Sequence, residues 1–344
     1  MVTTTDDVCR RGDGVTLAVR LAAVLITAGV VLSPQAAYAS AAPTTRALER
    51  IVENVPAATA HQYQTRDNTG ASMDGLKIVD APGGGYLGVY HTTQAHRIHV
   101  SRVATSPDML HWTRQAVISP RASMPTIKVL ADRSLLIAEE ADNNGAAAGS
   151  RTWIRLRHYP SVDALLTGRP DRSIDLPHTL APHIGAEGTP DIRSVSRSTI
   201  ELGFHYLRKT DKVDRQARGV LTNFRDWHTA RRPGIDAPIE RLGVRGNIGD
   251  RDTIVLGGRR LALVEGQGER GDFGTWDVYL HDGRMARRMD IRTHAGSTAF
   301  ANPTISRVRA PSGADAIVVT VFIPQEGARG GESGVLVYWR EAAA

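Results

Sequence analysis

Only one cysteine, Cys9, occurs in the 344 residues, and it lies in an N-terminal segment that reads as an export signal. Once that segment is removed the chain can form no disulfide and do no thiol chemistry, so a sizeable apolar core must hold it together. Aromatic residues make up 5% of the chain, too few to pave a long cleft for a neutral glucan. Trp153, Trp276, Tyr63 and Tyr206 are the candidates for sugar stacking. Lysine is scarce as well. The formal charge of +6 rests on arginine, with Lys77, Lys128, Lys209 and Lys212 as the lysines. No basic run is interleaved with aromatics, which argues against a nucleic-acid surface. Arginine-rich composition is read first as base composition of the gene, and second as a means to grip an acidic sugar or cell-wall polymer through bidentate guanidinium contacts. There is no Gly-x-Ser-x-Gly, phosphate loop, dinucleotide fingerprint or His-Glu-x-x-His.

Arg10, Arg11 and Arg20 precede the uncharged run from Leu21 to Leu32, and small-residue patterns follow at Ala37-Tyr38-Ala39 and Ala39-Ser40-Ala41. That is the layout of a signal peptide over 1–39, and its apolar run is too short to span a bilayer. Residues 40–60 are read as a leader with one helical turn around Leu48 to Val55, and 61–344 as a single domain. The mature chain is expected to be secreted, monomeric and without a membrane span.

Beyond His61 short β-branched runs alternate with Gly, Asp, Asn and Pro, the composition of an all-β fold. A two-strand unit recurs five times, starting at Asp74, Met124, Thr189, Arg251 and Asn302. Each unit leaves room for two further strands, which predicts a five-bladed β-propeller. The last strand, Val335 to Trp339, needs a partner, and a strand near His61 to Thr65 would close the ring. Trp112 and Trp227 mark the ends of the first and third blades, and Ser161 is positioned as the N-cap of a short helix in the second.

In a propeller the innermost strands start, and the second strands end, at one mouth of the central channel. The starts place Asp74, Arg251 and Asn302 there, with Glu187, Asp250 and Asp252 close by. The second-strand ends are His91, Glu140, His205, Glu265 and Phe322. A His, Glu, His, Glu series at one repeated position is the most informative pattern in the chain.

The Gly-turn hairpins, the Asp or Pro before a strand and the Ser106-x-Asp108-x-x-x-Trp112 blade end resemble the secreted five-bladed glycoside hydrolases of the arabinanase, xylosidase and fructosidase type. A nearer similarity, on Gly246-Asn247-Ile248-Gly249-Asp250-Arg251-Asp252, is to secreted actinobacterial proteins without an assigned reaction. The resemblance implies a carboxylate pair acting on a glycosidic bond. By position Asp74 matches the base, Glu187 in Glu187-Gly188-Thr189-Pro190 the general acid, and Asp250 the remaining carboxylate. Met124 stands where such enzymes often carry a tuning Asp. His91, Glu140, His205, Arg251, Asp252, Glu265 and Asn302 are expected to contact an oligo- or polysaccharide. No cofactor is required, although a calcium ion in the channel would suit the resemblance. The competing readings are a non-catalytic propeller that binds a glycan or envelope partner, which the missing second-blade Asp favours, and a polysaccharide lyase using a His or Tyr base.

Overall fold

Short apolar and β-branched runs, buried on both faces in the inner strands, and glycine at the tight turns produce five four-stranded antiparallel sheets, the blades of a β-propeller. The structure, a computed structural model, describes residues 45–142, 151–181 and 185–341. The segment expected to be a signal peptide lies outside them. Helix α1 (Thr45–Val52) and strand β1 (Ala60–Gln62) precede the first blade, which is β2 (Asp74–Asp80), β3 (Tyr86–Thr93), β4 (His99–Ser106) and β5 (Thr113–Ser119). The second blade is β6 (Ala122–Val129), β7 (Leu135–Asp142), β8 (Thr152–Tyr159), helix α2 (Val162–Leu166) and β9 (Arg172–Asp175). The third comprises β10 (Glu187–Val195), β11 (Thr199–Leu207), β12 (Asp214–Thr222) and β13 (Asp226–Arg231). Helix α3 (Pro233–Glu240) leads to the fourth, β14 (Arg251–Leu256), β15 (Arg259–Gln267), β16 (Trp276–His281) and β17 (Ala286–Arg288). The fifth is β18 (Ala301–Arg309), β19 (Asp315–Ile323), β20 (Gly334–Glu341) and, outermost, β1.

The ring closes as expected, with Ala60 opposite Trp339, His61 opposite Tyr338 and Gln62 opposite Val337. This pairing covers the edge that β20 would otherwise expose. The core is divided into layers between blades: Leu76 and Ile78 meet Val308 and Val318, Leu87 and Val89 meet Ile127 and Ile137, and Leu136 and Ala138 meet Ile192 and Leu202. The segment before β1 is more than a leader. Leu48, Ile51, Val52 and Val55 are buried against the fourth and fifth blades beside Leu263, Val278 and Leu336.

Blade ends follow the sequence logic. Ser161 Oγ accepts the Ala164 N–H at 3.1 Å and caps α2. Asp108 Oδ1 accepts the amides of Leu110 and His111, both at 2.9 Å, which sets the turn before buried Trp112. The Trp112 ring lies over Gly88, where an added Cβ would fall 2.6 Å from it.

One backbone feature repeats at the channel mouth. Each innermost strand but one carries a bulge, where the register shifts between Asp74 and Lys77, Ser123 and Thr126, Gly188 and Asp191, and Ala301 and Thr304. The extra residue is left-handed: Gly75 (φ 61°), Met124 (46°), Thr189 (41°) and Asn302 (47°). In β14 the register runs unbroken from Arg251 opposite Val264 to Leu256 opposite Arg259. The blade without the bulge is the one that carries Asp250, Arg251 and Asp252.

Candidate channel-mouth site

The bulges leave backbone amides that the strand ladder cannot satisfy, and side chains from the preceding blade satisfy them. His91 Nδ1 on the first blade accepts the N–H of Met124 on the second at 3.3 Å. Glu140 Oε2 on the second accepts Thr189 N–H on the third at 3.0 Å. Glu265 Oε2 on the fourth accepts Asn302 N–H on the fifth at 2.6 Å, while its Oε1 takes the amide of Asp250 at 2.7 Å. His205 departs from the pattern: its Nδ1 meets Thr189 Oγ1 at 2.5 Å, and its Nε2 lies 4.0 Å from Asp214. The His, Glu, His, Glu series therefore works largely as a set of latches between blades. His91 is buried, and burial together with nearby His99 pushes its pKa down to about 3, so its ring is neutral and its Nδ1 is free to accept. The fifth position, Phe322, has no polar atom to offer and packs on the layer between the fifth and first blades.

The Asp250-Arg251-Asp252 run separates into three environments. Asp252 turns into the channel. Its Oδ2 accepts the Ile305 N–H at 2.7 Å and pairs with the Lys77 ammonium, which also donates to the Ile305 carbonyl at 2.7 Å. This bridge joins the first, fourth and fifth blades across the channel. Arg251 turns the other way, into the boundary between the third and fourth blades. Its Nη2 donates to the Ala217 carbonyl at 2.9 Å, and its Nε lies 3.8 Å from Asp191. Gly203 makes room for it, since a Cβ there would fall 1.4 Å from Nη2. Asp250 stays at the mouth, 6% exposed, with Oδ1 on the Arg251 amide at 2.7 Å. Burial first, then the neighbouring carboxylates Glu265 and Asp252, hold its pKa well above the usual range for an aspartate. Glu265 and Asp252 are also raised by burial, Asp252 against the pull of Lys77.

Asp74 is half-buried, opposite His91 on the neighbouring strand, and accepts the Ser72 hydroxyl at 2.5 Å. Burial raises its pKa, opposed by Ser72, His99 and Arg66. Glu187 is engaged elsewhere. Its Oε1 accepts three successive loop amides, Thr179 at 2.8 Å, Leu180 at 2.5 Å and Ala181 at 2.9 Å, and it is 2% exposed. A small cavity at the mouth is bounded by Gly75, Met124, Pro190, Asp250 and Asp252. It brings Asp250 together with the bulges of the first two blades. The Met124 sulfur fills the space above Gly75, 3.0 Å from where a Cβ there would sit.

The channel carries its own cation. With the Lys77 ammonium on Asp252, the donors there do not fit a calcium ion, and among the described residues no group of three His, Cys, Asp or Glu side chains is placed to hold a metal. Two of the four aromatic candidates are not platforms. Trp276 and Tyr206 are buried, and the Arg231 guanidinium lies 5.6 Å from the Tyr206 ring centre. Tyr63 and Trp153 remain partly exposed. Lys77 and Asp191 are the channel residues that sequence reasoning passed over. A lysine inside an apolar strand, in a chain with so few lysines, was the available signal.

Fold and mouth together define a five-bladed β-propeller with buried carboxylates at one end of its channel. Solved structures share this architecture. A thermostable family-43 glycoside hydrolase matches with a TM-score of 0.53 at 11% identity, over 82% of this chain and 93% of that one. An N-acetylgalactosamine deacetylase from F. plautii, solved with blood group B trisaccharide, matches at 0.52 and 11% over 82% and 94%. The α-L-arabinofuranosidase from Podospora anserina, solved with cellotriose, matches at 0.52 and 11% over 82% and 96%. At such identity the likeness is one of fold, and these neighbours already differ in the reaction they are named for. No family model and no curated protein sequence matches the chain, so the nearer similarity seen in Gly246 to Asp252 stands on those residues alone.

Proposed function

We propose that the protein is an exported carbohydrate-active enzyme of the glycoside-hydrolase type that works at the channel mouth, with Asp250 as the proton donor. The observation that carries this reading is the environment of Asp250: a buried carboxylate beside Glu265, Asp252 and Asp191, kept protonated above the usual carboxylate range, at the rim of the mouth cavity. A general acid must hold its proton at the working pH, and like-charge crowding in a dry site is the usual way to achieve that. Asp74 is the second carboxylate. It is more accessible than Asp250, and although burial raises its pKa, Ser72, His99 and Arg66 pull it back towards the ionised form that a base or nucleophile uses. In this reading Glu187 braces the Thr179 to Ala181 loop rather than moving a proton, because its Oε1 is already taken by three amides. The substrate is an oligo- or polysaccharide. Fold neighbours solved with sugars bound support that class.

A non-catalytic glycan-binding propeller is the second reading, and one observation favours it. The cavity between Gly75, Met124, Pro190 and Asp250 has a volume of only about 10 Å³, room for one water. A sugar must therefore sit above the rim. A panel of aryl glycosides and plant and bacterial polysaccharides separates the readings, assayed for released reducing ends alongside binding by affinity electrophoresis. Product release that is lost in Asp250→Asn and Asp74→Asn supports the enzyme. Saturable binding without product supports the binder, and an unsaturated uronate chromophore would point instead to a lyase.

A further inference from the structure

Next to the mouth cavity, with which it shares Arg251, a cleft of about 430 Å³ opens between the third and fourth blades. Five guanidinium groups line it, from Arg193 on β10, Arg231 and Arg232 at the end of β13, Arg251 on β14 and Arg260 on β15. The acids around it do not balance them. Glu201 is shared by three arginines, Arg193 at 3.0 Å, Arg218 at 3.0 Å and Arg260 at 3.9 Å. Asp191 faces Arg251 at 3.8 Å. Asp282 answers Arg259 at 3.3 Å and caps the turn amides of Arg284 and Met285. Asp236 is buried on the Gln216 amide. Arg231 makes a ring contact with Tyr206 but no ion pair, and the Arg232 side chain has neither ion pair nor hydrogen bond among the described residues. Arg251 is 3% exposed, aims into the cleft, and leaves its Nε without a hydrogen-bond acceptor.

These cations act on one another. Burial, with Arg193 and Arg232 opposing Asp191 and Asp236, brings the pKa of Arg251 down to about 10. His281 on the cleft wall is locked neutral, accepting the Gly283 amide at Nδ1 (2.9 Å) and facing the Gly234 carbonyl with Nε2 (3.3 Å). The N-terminus of α3 opens on the same space with no side chain capping it. The buried Arg251 guanidinium, with an Nε that lacks an acceptor, and the uncompensated Arg231 and Arg232 beside it are the features that a bound anion would relieve.

We infer that this cleft is a binding site for a tetrahedral oxyanion, a phosphate or sulfate group, free or carried as an ester on a sugar. Planar guanidinium forks match the paired oxygens of such a group, and the volume exceeds what a bare ion needs, leaving space for part of a sugar ring. Arg251 borders both this cleft and the mouth, but Arg193, Arg231, Arg232 and Arg260 line the cleft alone, and anion binding is read without turnover, so its failure is distinguishable from failure of the hydrolase reading.

Titration calorimetry at constant ionic strength tests the proposal, with inorganic phosphate, inorganic sulfate, glucose 6-phosphate and glucose 6-sulfate as probes, and glucose and chloride as controls. The expected result is saturable binding of at least one oxyanion probe. Binding should weaken at least tenfold in the Arg231→Gln/Arg232→Gln double variant, whose side chains are exposed or half-buried and whose fold is checked by circular dichroism. Arg260→Gln should weaken it independently. Tighter binding of the esters identifies a substituted sugar as the ligand, and equal or tighter binding of the inorganic ions identifies the free anion. Absence of saturable binding by all four probes, or binding undiminished in both variants, would overturn the assignment.

Discussion

Glu140 on the second blade accepts the backbone N–H of Thr189 on the third at 3.0 Å, and the same relation ties Glu265 to Asn302 at 2.6 Å. In each case a carboxylate at the end of a second strand satisfies the left-handed bulge residue that opens the next blade. Gly188 sits directly beneath, where a Cβ would come within 1.9 Å of Glu140 Oε2. Glu140→Ala strands the Thr189 amide and should cost about 1–3 kcal/mol of unfolding free energy, whereas Glu140→Gln keeps an acceptor and should cost less. Gly188→Ala should destabilise by pushing the carboxylate off the amide. The two alanine changes together should cost less than their sum, as read from urea midpoints in a double-mutant cycle.

The Lys77 and Asp252 bridge is the link that crosses the channel. Removing only the cation, in Lys77→Met, leaves a buried carboxylate beside Asp191 and Asp250 and should cost about 3–5 kcal/mol. Lys77→Met combined with Asp252→Asn should recover much of that loss. Thermal unfolding of the single and double variants measures the difference.

The N-terminal segment should be needed for the fold. A chain beginning at Gln64 lacks β1, which pairs with β20, and the buried Leu48, Ile51, Val52 and Val55. It should aggregate or unfold at a clearly lower temperature, because it exposes both a sheet edge and the apolar surface of the fourth and fifth blades. Light scattering during a thermal ramp against the chain beginning at Ala42 reads this directly.

Stability should be greatest in mildly acidic solution. Asp236 is raised by burial to about 6, and Asp250 is raised well above 3.8. An acid held neutral in the folded state contributes stability below its unfolded pKa and loses that contribution as pH rises through the folded value. For Asp236 that window runs from about pH 4 to about pH 6. At the acid end the sign reverses. Asp67, whose burial is outweighed by hydrogen bonds from Thr69, Tyr90 and Arg114, sits at about 2, so its contribution is lost as pH falls below the usual aspartate range. Asp236→Asn should therefore be about 3 kcal/mol more stable than the parent chain at pH 8 and about equal to it near pH 4. Urea titrations at the two pH values check the sign.

The architecture could be read from the sequence because its signals are local. Gly83-Gly84-Gly85 turns a hairpin, short apolar runs bounded by turn residues mark β3, β7 and β19, and Val335 to Trp339 demands an edge partner that His61 supplies. The site was less legible because its logic lies between blades. Gly75 and Asn302 are residue types that adopt left-handed backbone easily, but Met124 and Thr189 do not advertise it. Without the bulges, nothing in the sequence says that Glu140 and Glu265 face amides rather than sugars. Glu187 sits in the expected Glu-Gly context, yet its partners are the loop amides of Thr179 to Ala181, which no spacing rule reveals. The sequence groups Asp250, Arg251 and Asp252 at one mouth. Strand alternation separates Arg251 from Asp252, and the unbulged register of β14 leaves Asp250 at the mouth.

The central claim is that Asp250 donates a proton at the channel mouth, and a pH-rate profile on an aryl glycoside with a poor leaving group tests it most directly. The account predicts that kcat falls on the alkaline side as a group with a raised carboxylate pKa loses its proton. Asp250→Asn should abolish turnover of that substrate by about 100-fold or more, and should spare an activated substrate whose leaving group needs no proton. Equal losses on both substrates, or an unchanged alkaline limb in the variant, would contradict it.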